Sequence, residues 1–495
     1  MPDIFRYDKT PEELGVSPKW LTRIYRRLNK RKFLSHGLMI VKDAAVIAEG
    51  YWSPFYRDEP HRMYSTSKTF VATAIGMLIK EGKLSLDDRI VTFFPEELPE
   101  SVPEWLDAMT VRDLLTMTTC YTDCTYSFDR MDWVSSFFNT APTHPSGTYF
   151  HYDTTGSFIL DVIVERLAGK PFMDYLYEVL LGEAGAVRGV RCVKSPDGYS
   201  WGGSGVLGTM RDLARLGQIY LDKGVVHGKQ LLPRDFAEAA VSRQVDNNVT
   251  GHLDHFHGQG YGYQIWCAED DCFAFLGMGG QLRIASPKHR LILAAISDVQ
   301  GSQTGYHYLA DLFYELIESI EENEGEIADD PAARGELAEL LSSLTCQIPL
   351  IGEPTSPLEG RYYGKRYSFA ENELGIERLC IEKRGDHAAL CFRARGEDKE
   401  ILFGLGEYKI APFPETHYDG AAVGTPMGRG YRTMSAALWT EESKLVIRSS
   451  VIDDYLGNLT TTLAFKGDTV TVYMDKVAEH FLQEYRGLCV GKVEN

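Results

Sequence analysis

Apolar and polar positions alternate in two different ways along this chain. In the first three hundred residues, Leu38-Met39-Ile40-Val41 and Val46-Ile47-Ala48 flank Lys42-Asp43-Ala44-Ala45, the pattern of a β-hairpin. Phe70, Ala74, Met77 and Leu78 instead recur at helical spacing. A second helical run covers 211–222 and a third lies near 306–320. Between them, Gln281–Ala285 and Leu291–Ser297 are apolar segments separated by Pro287-Lys288-His289-Arg290, again a strand pair. Strands at both ends with helices between predict an α+β domain whose one sheet is closed by its two termini.

After about Leu358 the period changes. Short runs at Leu379–Glu382, Ala388–Phe392, Met434–Trp439, Leu445–Val451, Thr460–Phe465 and Thr469–Tyr473 are separated by turns such as Lys383-Arg384-Gly385-Asp386 and Lys466-Gly467-Asp468. That pattern predicts an antiparallel sandwich or barrel of about eight strands. Between the halves, Glu318–Glu339 is acidic and broken by Gly and Pro, and Pro349, Gly352, Pro354 and Pro357 follow. The expected division is a first domain over 1–322, a linker or solvated helical connection over 323–355, and an all-β domain over 356–495. A length of 495 residues suits such a division.

Charge and composition narrow the partners. With 51 Lys+Arg against 70 Asp+Glu the formal charge is −19, a field that repels nucleic-acid backbones and anionic lipid. Aromatic residues make up 12% of the chain, enough to fill large cores. No basic segment followed by an apolar run opens the sequence, and no stretch approaches the ~18 apolar residues that span a bilayer. The expectation is a soluble, cytoplasmic protein acting on a small molecule, with no nucleic-acid or membrane partner. Nine cysteines, an odd number, predict reduced thiols rather than a disulfide framework. No signal in the sequence sets the oligomeric state.

Ser65-Thr66-Ser67-Lys68 is the only Ser-x-x-Lys of the chain, and the almost wholly apolar stretch Phe70–Ile79 follows it. A helix so apolar is buried on most sides. Ser65 would stand at its N-terminus, where free N–H groups and the positive dipole end favour developing negative charge, and Lys68 would lie one turn on. Buried there, the ammonium loses solvation and becomes a base for the serine hydroxyl. The motif alone also fits an N-capping serine beside a solvated lysine.

Further residues carry a family resemblance. Tyr64-Ser65-Thr66-Ser67-Lys68-Thr69-Phe70, Glu81–Asp88, Phe94-Pro95, Met109–Met117, Pro145–Tyr152, Trp201–Gln218, Gly260–Tyr263 and Gly277-Met278-Gly279-Gly280-Gln281 resemble, in order and spacing over roughly 10–320, the serine β-lactamase-related hydrolases. That superfamily holds class C β-lactamases, penicillin-recognising D,D-peptidases and β-lactamase-fold carboxylesterases. The resemblance implies an antiparallel sheet flanked by helices with a helical subdomain, and, more weakly, a lipocalin-like or barrel-like C-terminal extension of the kind that in such relatives covers the active-site cleft and restricts substrate size; here the 412–426 loop is the candidate to reach the pocket. It implies Ser65 as acylated nucleophile, Lys68 as its proton partner and Tyr152 as proton shuttle, the phenol being lowered in pKa by the nearby cation. Gly279, Gly280 and the backbone at Gln281 are expected to form the substrate strand and, with Ser65, an oxyanion hole.

Two departures bear on substrate. Thr154 stands where the family's Tyr-x-Asn motif has its amide, with Thr155 beside it, and Met278 stands where a Lys or His usually precedes the glycines. Without that cation, penicillins and D-Ala-D-Ala peptides are disfavoured, and esters, amides or other small peptides preferred. Thr154, Met278 and Trp201 are the expected substrate-binding residues, Trp201 because Trp201-Gly202-Gly203-Ser204-Gly205 turns the chain beside the site. No metal or organic cofactor is expected, and His252, His255 and His257 are read as a loop near the pocket rather than a metal site. The alternative is a binding or sensor protein that keeps the fold and acylates at most once.

Overall fold

The computed structural model describes residues 2–128, 131–249, 251, 253–301, 305–323, 327–415, 431–477 and 482–494. It divides into two compact units, the first reaching to Cys346 and the second running from Gln347, with the stretch 31–34 counted in the second.

In the first unit, helix α1 (Pro18–Lys30) leads into the hairpin of β1 (Ser35–Lys42) and β2 (Ala45–Tyr51). Helices α2 (Ser67–Lys80), α3 (Thr154–Ala168) and α4 (Met210–Leu221) follow. The chain then returns through β3 (Trp266–Cys267), β4 (Phe273–Gly277), β5 (Gln281–Ser286) and β6 (Leu291–Ser297), and ends in α5 (Gly305–Glu322) and α6 (Pro331–Ser342). The sheet order is β2-β1-β6-β5-β4-β3, antiparallel throughout. The two ends of the unit thus meet at β1 and β6, with Ile40 opposite Leu293. Helix α4 packs on β5, β6 and β1.

Helix α2 is buried at every position from Ser67 to Leu78, which is why its sequence is apolar all round rather than striped. It stops where Gly82 adopts φ +68° and the N–H groups of Gly82 and Lys83 return to Ile79 and Leu78, a glycine-closed helix end. Helix α3 packs beside it. Its first N–H groups are capped by the buried Asp153 carboxylate, which accepts from Thr155 N at 2.8 Å and Gly156 N at 3.1 Å.

The division between the units, at 346/347, lies within the expected 323–355 connection, most of which belongs to the first unit. Part of the acidic stretch is helix α6, started by Asp330, whose carboxylate accepts from Ala333 N, and by Pro331 at the first turn. Ala333 and Leu337 are buried, and Glu336 pairs with Arg26 and Arg334 with Glu12, so α6 lies on α1 as part of the first unit.

The second unit is all β. Its strands are β7 (Arg366–Phe369), β8 (Ile376–Arg384), β9 (His387–Ala394), β10 (Glu397–Leu405), β11 (Lys409–Pro412), β12 (Arg432–Glu441), β13 (Lys444–Ile452), β14 (Leu456–Lys466), β15 (Thr469–Val477) and β16 (Gly487–Val493). Nine close a barrel in the order β10-β9-β8-β7-β16-β15-β14-β13-β12, sealed by the parallel pairing of Gly404 and Leu405 with Ala436 and Ala437. Strand β11 adds to β12 as a tenth. Its buried residues include an aromatic cluster, with Tyr362 stacked 4.2 Å from Phe465 and Trp439 beside both. Most of the expected 412–426 loop, 416–426, lies outside the described residues. All nine cysteines are free. Among the described residues no helix is long and apolar enough to cross a membrane.

Candidate active site

Ser65 lies in a single 3-10 turn, Tyr64–Thr66, that feeds directly into α2. Tyr64 is held at φ +47°, a left-handed conformation costly for a residue with a β-carbon. It is retained because Arg62 lies 5.0 Å over the Tyr64 ring and Gln300 Nε2 donates to its hydroxyl at 3.1 Å.

Lys68 is 1% exposed. Its Nζ lies 3.0 Å from Ser65 Oγ, 3.2 Å from Thr154 Oγ1 and 2.7 Å from the Gly203 carbonyl oxygen. Burial, set against the charge of Asp153, brings its pKa down to about 7. The N-termini of α2 and α3 both converge on it, and their positive dipole ends also disfavour an ammonium. Tyr152, immediately before the Asp153 cap, faces the same cavity as Ser65, and Lys68 Nζ lies 5.0 Å from its ring centre. Burial raises the phenol's pKa and outweighs the nearby Ser65 hydroxyl, which lowers it. This corrects the expectation of a phenol made acidic by the cation: desolvation of the buried ring dominates, and Lys68, its own pKa brought down to about 7 by burial, is not a full cation beside it, so Tyr152 keeps its proton at neutral pH.

Ser65 and Tyr152 open onto a cavity of about 530 Å³. One wall is the end of β4 and the turn after it, Leu276 to Gly279. Gly277 makes that wall possible, since a Cβ there would stand 2.5 Å from the Met63 carbonyl oxygen and 3.2 Å from Thr66 Cγ2. Trp266, His257 and Tyr306 form an aromatic wall, Trp266 stacking on Tyr152 at 5.4 Å. The lining holds no Lys, Arg, Asp or Glu side chain among the described residues.

The sequence-predicted residues separate into two groups. Ser65, Lys68, Tyr152 and Thr154 are brought together, Thr154 with its hydroxyl on Lys68. Met278 and Gly279 line the cavity, Met278 being 39% exposed. Gly280 and Gln281 do not line it. Gln281 opens β5 opposite Gly277, and its carboxamide is spent on Met278 O at 3.0 Å and Ser297 O at 2.7 Å. Trp201 does not line the cavity either: it is buried among Phe128, Trp133 and Arg62, with Nε1 donating to Tyr126 OH. Its turn touches the site through the backbone of Gly203 instead. A Cβ at Gly203 would stand 2.6 Å from Thr154 Cγ2.

Gly203, Trp266, Gln300 and Tyr306 escaped the sequence reading. Only Gly203 had a local signal, the glycine pair after Trp201. His257 lies on the loop expected near the pocket and lines the cavity, while His252 lies outside the described residues. Among the described residues, no group of three or more His, Cys, Asp or Glu side chains is disposed to hold a metal ion.

An antiparallel sheet closed by both ends of the first unit, with a serine and a buried lysine at the start of an apolar helix, defines a β-lactamase-like serine hydrolase fold. Residues 21–312 match the beta-lactamase family, and the chain belongs to it. It is a serine hydrolase of the β-lactamase-related superfamily, of amide or ester type. The chain is 25% identical over 280 residues to the 6-aminohexanoate-dimer hydrolase of Paenarthrobacter ureafaciens, covering 52% of this chain and 71% of that one. A solved structure of a Bacillus anthracis protein assigned as a 6-aminohexanoate-dimer hydrolase superposes with a TM-score of 0.52 at 20% identity, over 61% of this chain and 82% of that one. The crystal structure of SurE superposes at 0.50 with 17% identity over 84% of this chain and 96% of that one.

Proposed function

We propose that the protein cleaves an ester, amide or small peptide through an acyl-enzyme on Ser65, and that true β-lactams are poor substrates. The observation that carries this reading is the buried Lys68 Nζ, 3.0 Å from Ser65 Oγ with a pKa brought down to about 7. A sizeable neutral fraction at physiological pH accepts the Ser65 proton as Oγ bonds to the substrate carbonyl. The Ser65 N–H and an N–H of the Gly277–Gly279 wall are the donors suited to the oxyanion, a role worth roughly 2.7–4 kcal/mol per donor. When the tetrahedral adduct collapses, the protonated Tyr152 phenol gives its proton to the departing nitrogen or oxygen, and the Lys68 ammonium restores it. Water then repeats the sequence on the acyl-enzyme.

The preference against β-lactams follows from the cavity lining, which offers no fixed cation to a substrate carboxylate and places a methionine side chain at Met278 instead. The test is intact mass after exposure to a fluorophosphonate and, separately, a penicillin, for the natural chain and Ser65→Ala. A fluorophosphonate adduct on the natural chain alone supports the nucleophile, and a stable or turned-over penicillin adduct would overturn the substrate preference. Repeated turnover of an activated ester separates an enzyme from a protein that acylates once.

A further inference from the structure

Beyond Ser65 and Tyr152, the ionisable side chains in the cavity lining among the described residues are His257 and Tyr306. His257 is fixed by one carboxylate in two ways: its Nδ1 lies 2.9 Å from Asp254 Oδ2, and its backbone N–H donates to Asp254 Oδ1 at 2.8 Å. The backbone N–H of Phe256 donates to the same Oδ1, so the carboxylate sets the loop and the ring together. The imidazole packs edge-on against Trp266 at 5.3 Å, and Trp266 in turn stacks on Tyr152. Tyr152, Trp266 and His257 therefore form one continuous wall leading away from Ser65, with His257 two ring-widths along it.

A neutral imidazole that gives its Nδ1 proton to a carboxylate keeps its lone pair on Nε2. Such a ring reads a hydrogen-bond donor. The surroundings bias the choice of donor toward a positive one. Behind the loop, His255 lies between Glu269, 2.5 Å from Nδ1, and Asp311, 2.9 Å from Nε2. His307 Nε2 stands 3.7 Å from Asp254 Oδ2. Burial works against protonation of His255, but its two carboxylate partners prevail and raise its pKa, whereas burial lowers that of His307. Three carboxylates, those of Asp254, Glu269 and Asp311, thus stand at the far end of the wall, and their charge favours a cationic donor there.

We infer that the Asp254–His257 pair is the specificity subsite of this hydrolase and binds the ammonium group of an amino-substituted amide or ester whose alkyl portion lies along Trp266. The inference rests on the reading of Ser65 as nucleophile. His257 is a substrate-binding residue here and takes no part in the bond-breaking steps.

The test compares the p-nitroanilides of 6-aminohexanoic acid and heptanoic acid, which differ by an ammonium in place of a methyl group, on the full chain. In His257→Leu the ratio of kcat/KM for the amino over the alkyl substrate is expected to fall about tenfold, the worth of one hydrogen bond to a charged group, through KM. His257→Gln, which retains an acceptor, should recover most of that ratio. An unchanged ratio, or an equal loss for both substrates, overturns the subsite. Should neither anilide turn over, the rate at which a fluorophosphonate labels Ser65 is measured with hexylammonium or hexanol present. Stronger protection by hexylammonium that disappears in His257→Leu supports the subsite, and equal protection overturns it. Ser65→Ala distinguishes the two levels: wild-type hydrolysis in that variant would refute the nucleophile while leaving the His257 ratio readable.

Discussion

Lys68 Nζ donates to the Gly203 carbonyl oxygen at 2.7 Å and reaches Ser65 Oγ at 3.0 Å, with no carboxylate bonded to it among the described residues. A lysine so placed is expected to be half deprotonated near pH 7. The free-enzyme activity, read as kcat/KM for an activated ester, should rise with pH and level off above about 7 as the neutral amine accumulates. Lys68→Met should lower kcat/KM by roughly 10²–10⁴-fold and remove that limb.

The same residue makes a second, thermodynamic prediction. Its folded pKa of about 7 lies below the ordinary lysine value of 10.5, so between those values the unfolded chain holds more protons and stability rises with pH. Below pH 7 both states are protonated and the cost of burying the ammonium is at its fullest. Lys68→Met should therefore be more stable than the natural chain at pH 7, by roughly 1–4 kcal/mol, and lack the rise. Chemical denaturation at pH 6 and pH 9 measures both. A destabilised Lys68→Met would show that the lysine's hydrogen bonds outweigh its desolvation.

Gly277 sets how near strand β4 comes to the nucleophile turn. Gly277→Ala brings a Cβ to 2.5 Å from the Met63 carbonyl oxygen unless the strand retreats. The retreat would carry the wall of the cavity away from Ser65. The expected result is a kcat reduced by about 10²-fold, as for loss of one oxyanion donor, with stability lowered by roughly 1–3 kcal/mol. Steady-state kinetics and urea denaturation of the same variant check the two parts.

His36 and His61 are both buried, with His36 Nδ1 2.7 Å from His61 Nε2. His61 Nδ1 faces the Arg62 carbonyl oxygen at 3.0 Å, so it carries the proton given to that oxygen and Nε2 receives one from His36. Burial lowers the pKa of His61 to about 4 and holds that of His36 well below the ordinary value of 6.5. The sign follows: above pH 6.5 neither ring costs stability, and as pH falls from 6.5 toward 4 the unfolded chain takes up protons the folded one refuses. Each ring should remove roughly 1.4 kcal/mol of stability per pH unit in that window. His36→Gln, which keeps a donor for His61, should flatten the slope by about one proton. An unchanged slope in urea titrations between pH 6.5 and 4 would remove His36 as a contributor.

What the chain shows before folding depends on how local the cause is. Helix α2, the β1–β2 hairpin and the Ser65–Lys68 spacing are legible because burial on all sides, a tight turn and one helical turn each leave their mark within a few residues. Strand β10 is not, since Glu397-Asp398-Lys399-Glu400 opens it with four charges that its exposed end tolerates. Strand β16 carries two glycines, one of them meeting the Phe369 ring. Helix α6 looks like a linker because only Ala333 and Leu337 of its twelve residues are buried. The site divides in the same way. Thr154, read as a substrate contact from its place in the motif, has its hydroxyl on Lys68, and Trp201 is drawn into an aromatic cluster that no spacing could reveal. Gln281, expected at the oxyanion from the resemblance, does not line the cavity, and the approach of β4 to Met63 is a contact across more than two hundred residues.

Such a long-range constraint also joins Gly217 to Arg283. Arg283 on β5 is fully buried between Phe273 and Phe275, 4.2 and 4.3 Å from the two ring centres, and its Nη2 donates to the Gly217 carbonyl oxygen at 2.6 Å. Nε and Nη1 have no partner, no carboxylate pairs with the guanidinium among the described residues, and burial lowers its pKa. The rings supply cation–π attraction in place of an ion pair. A Cβ at Gly217 would fall 1.8 Å from Arg283 Nε, so helix α4 lies this close to β5 only because residue 217 is glycine. Gly217→Ala alone is expected to cost more than about 3 kcal/mol, since the guanidinium must leave both the rings and its one carbonyl acceptor. Arg283→Met removes an under-satisfied charge and should be nearly neutral or stabilising. The double variant should then recover most of the Gly217→Ala loss, giving a coupling energy of roughly 1–3 kcal/mol in a double-mutant cycle by urea denaturation. Additive effects would mean that α4 shifts away from the sheet without engaging Arg283, and the close approach would then owe nothing to this pair.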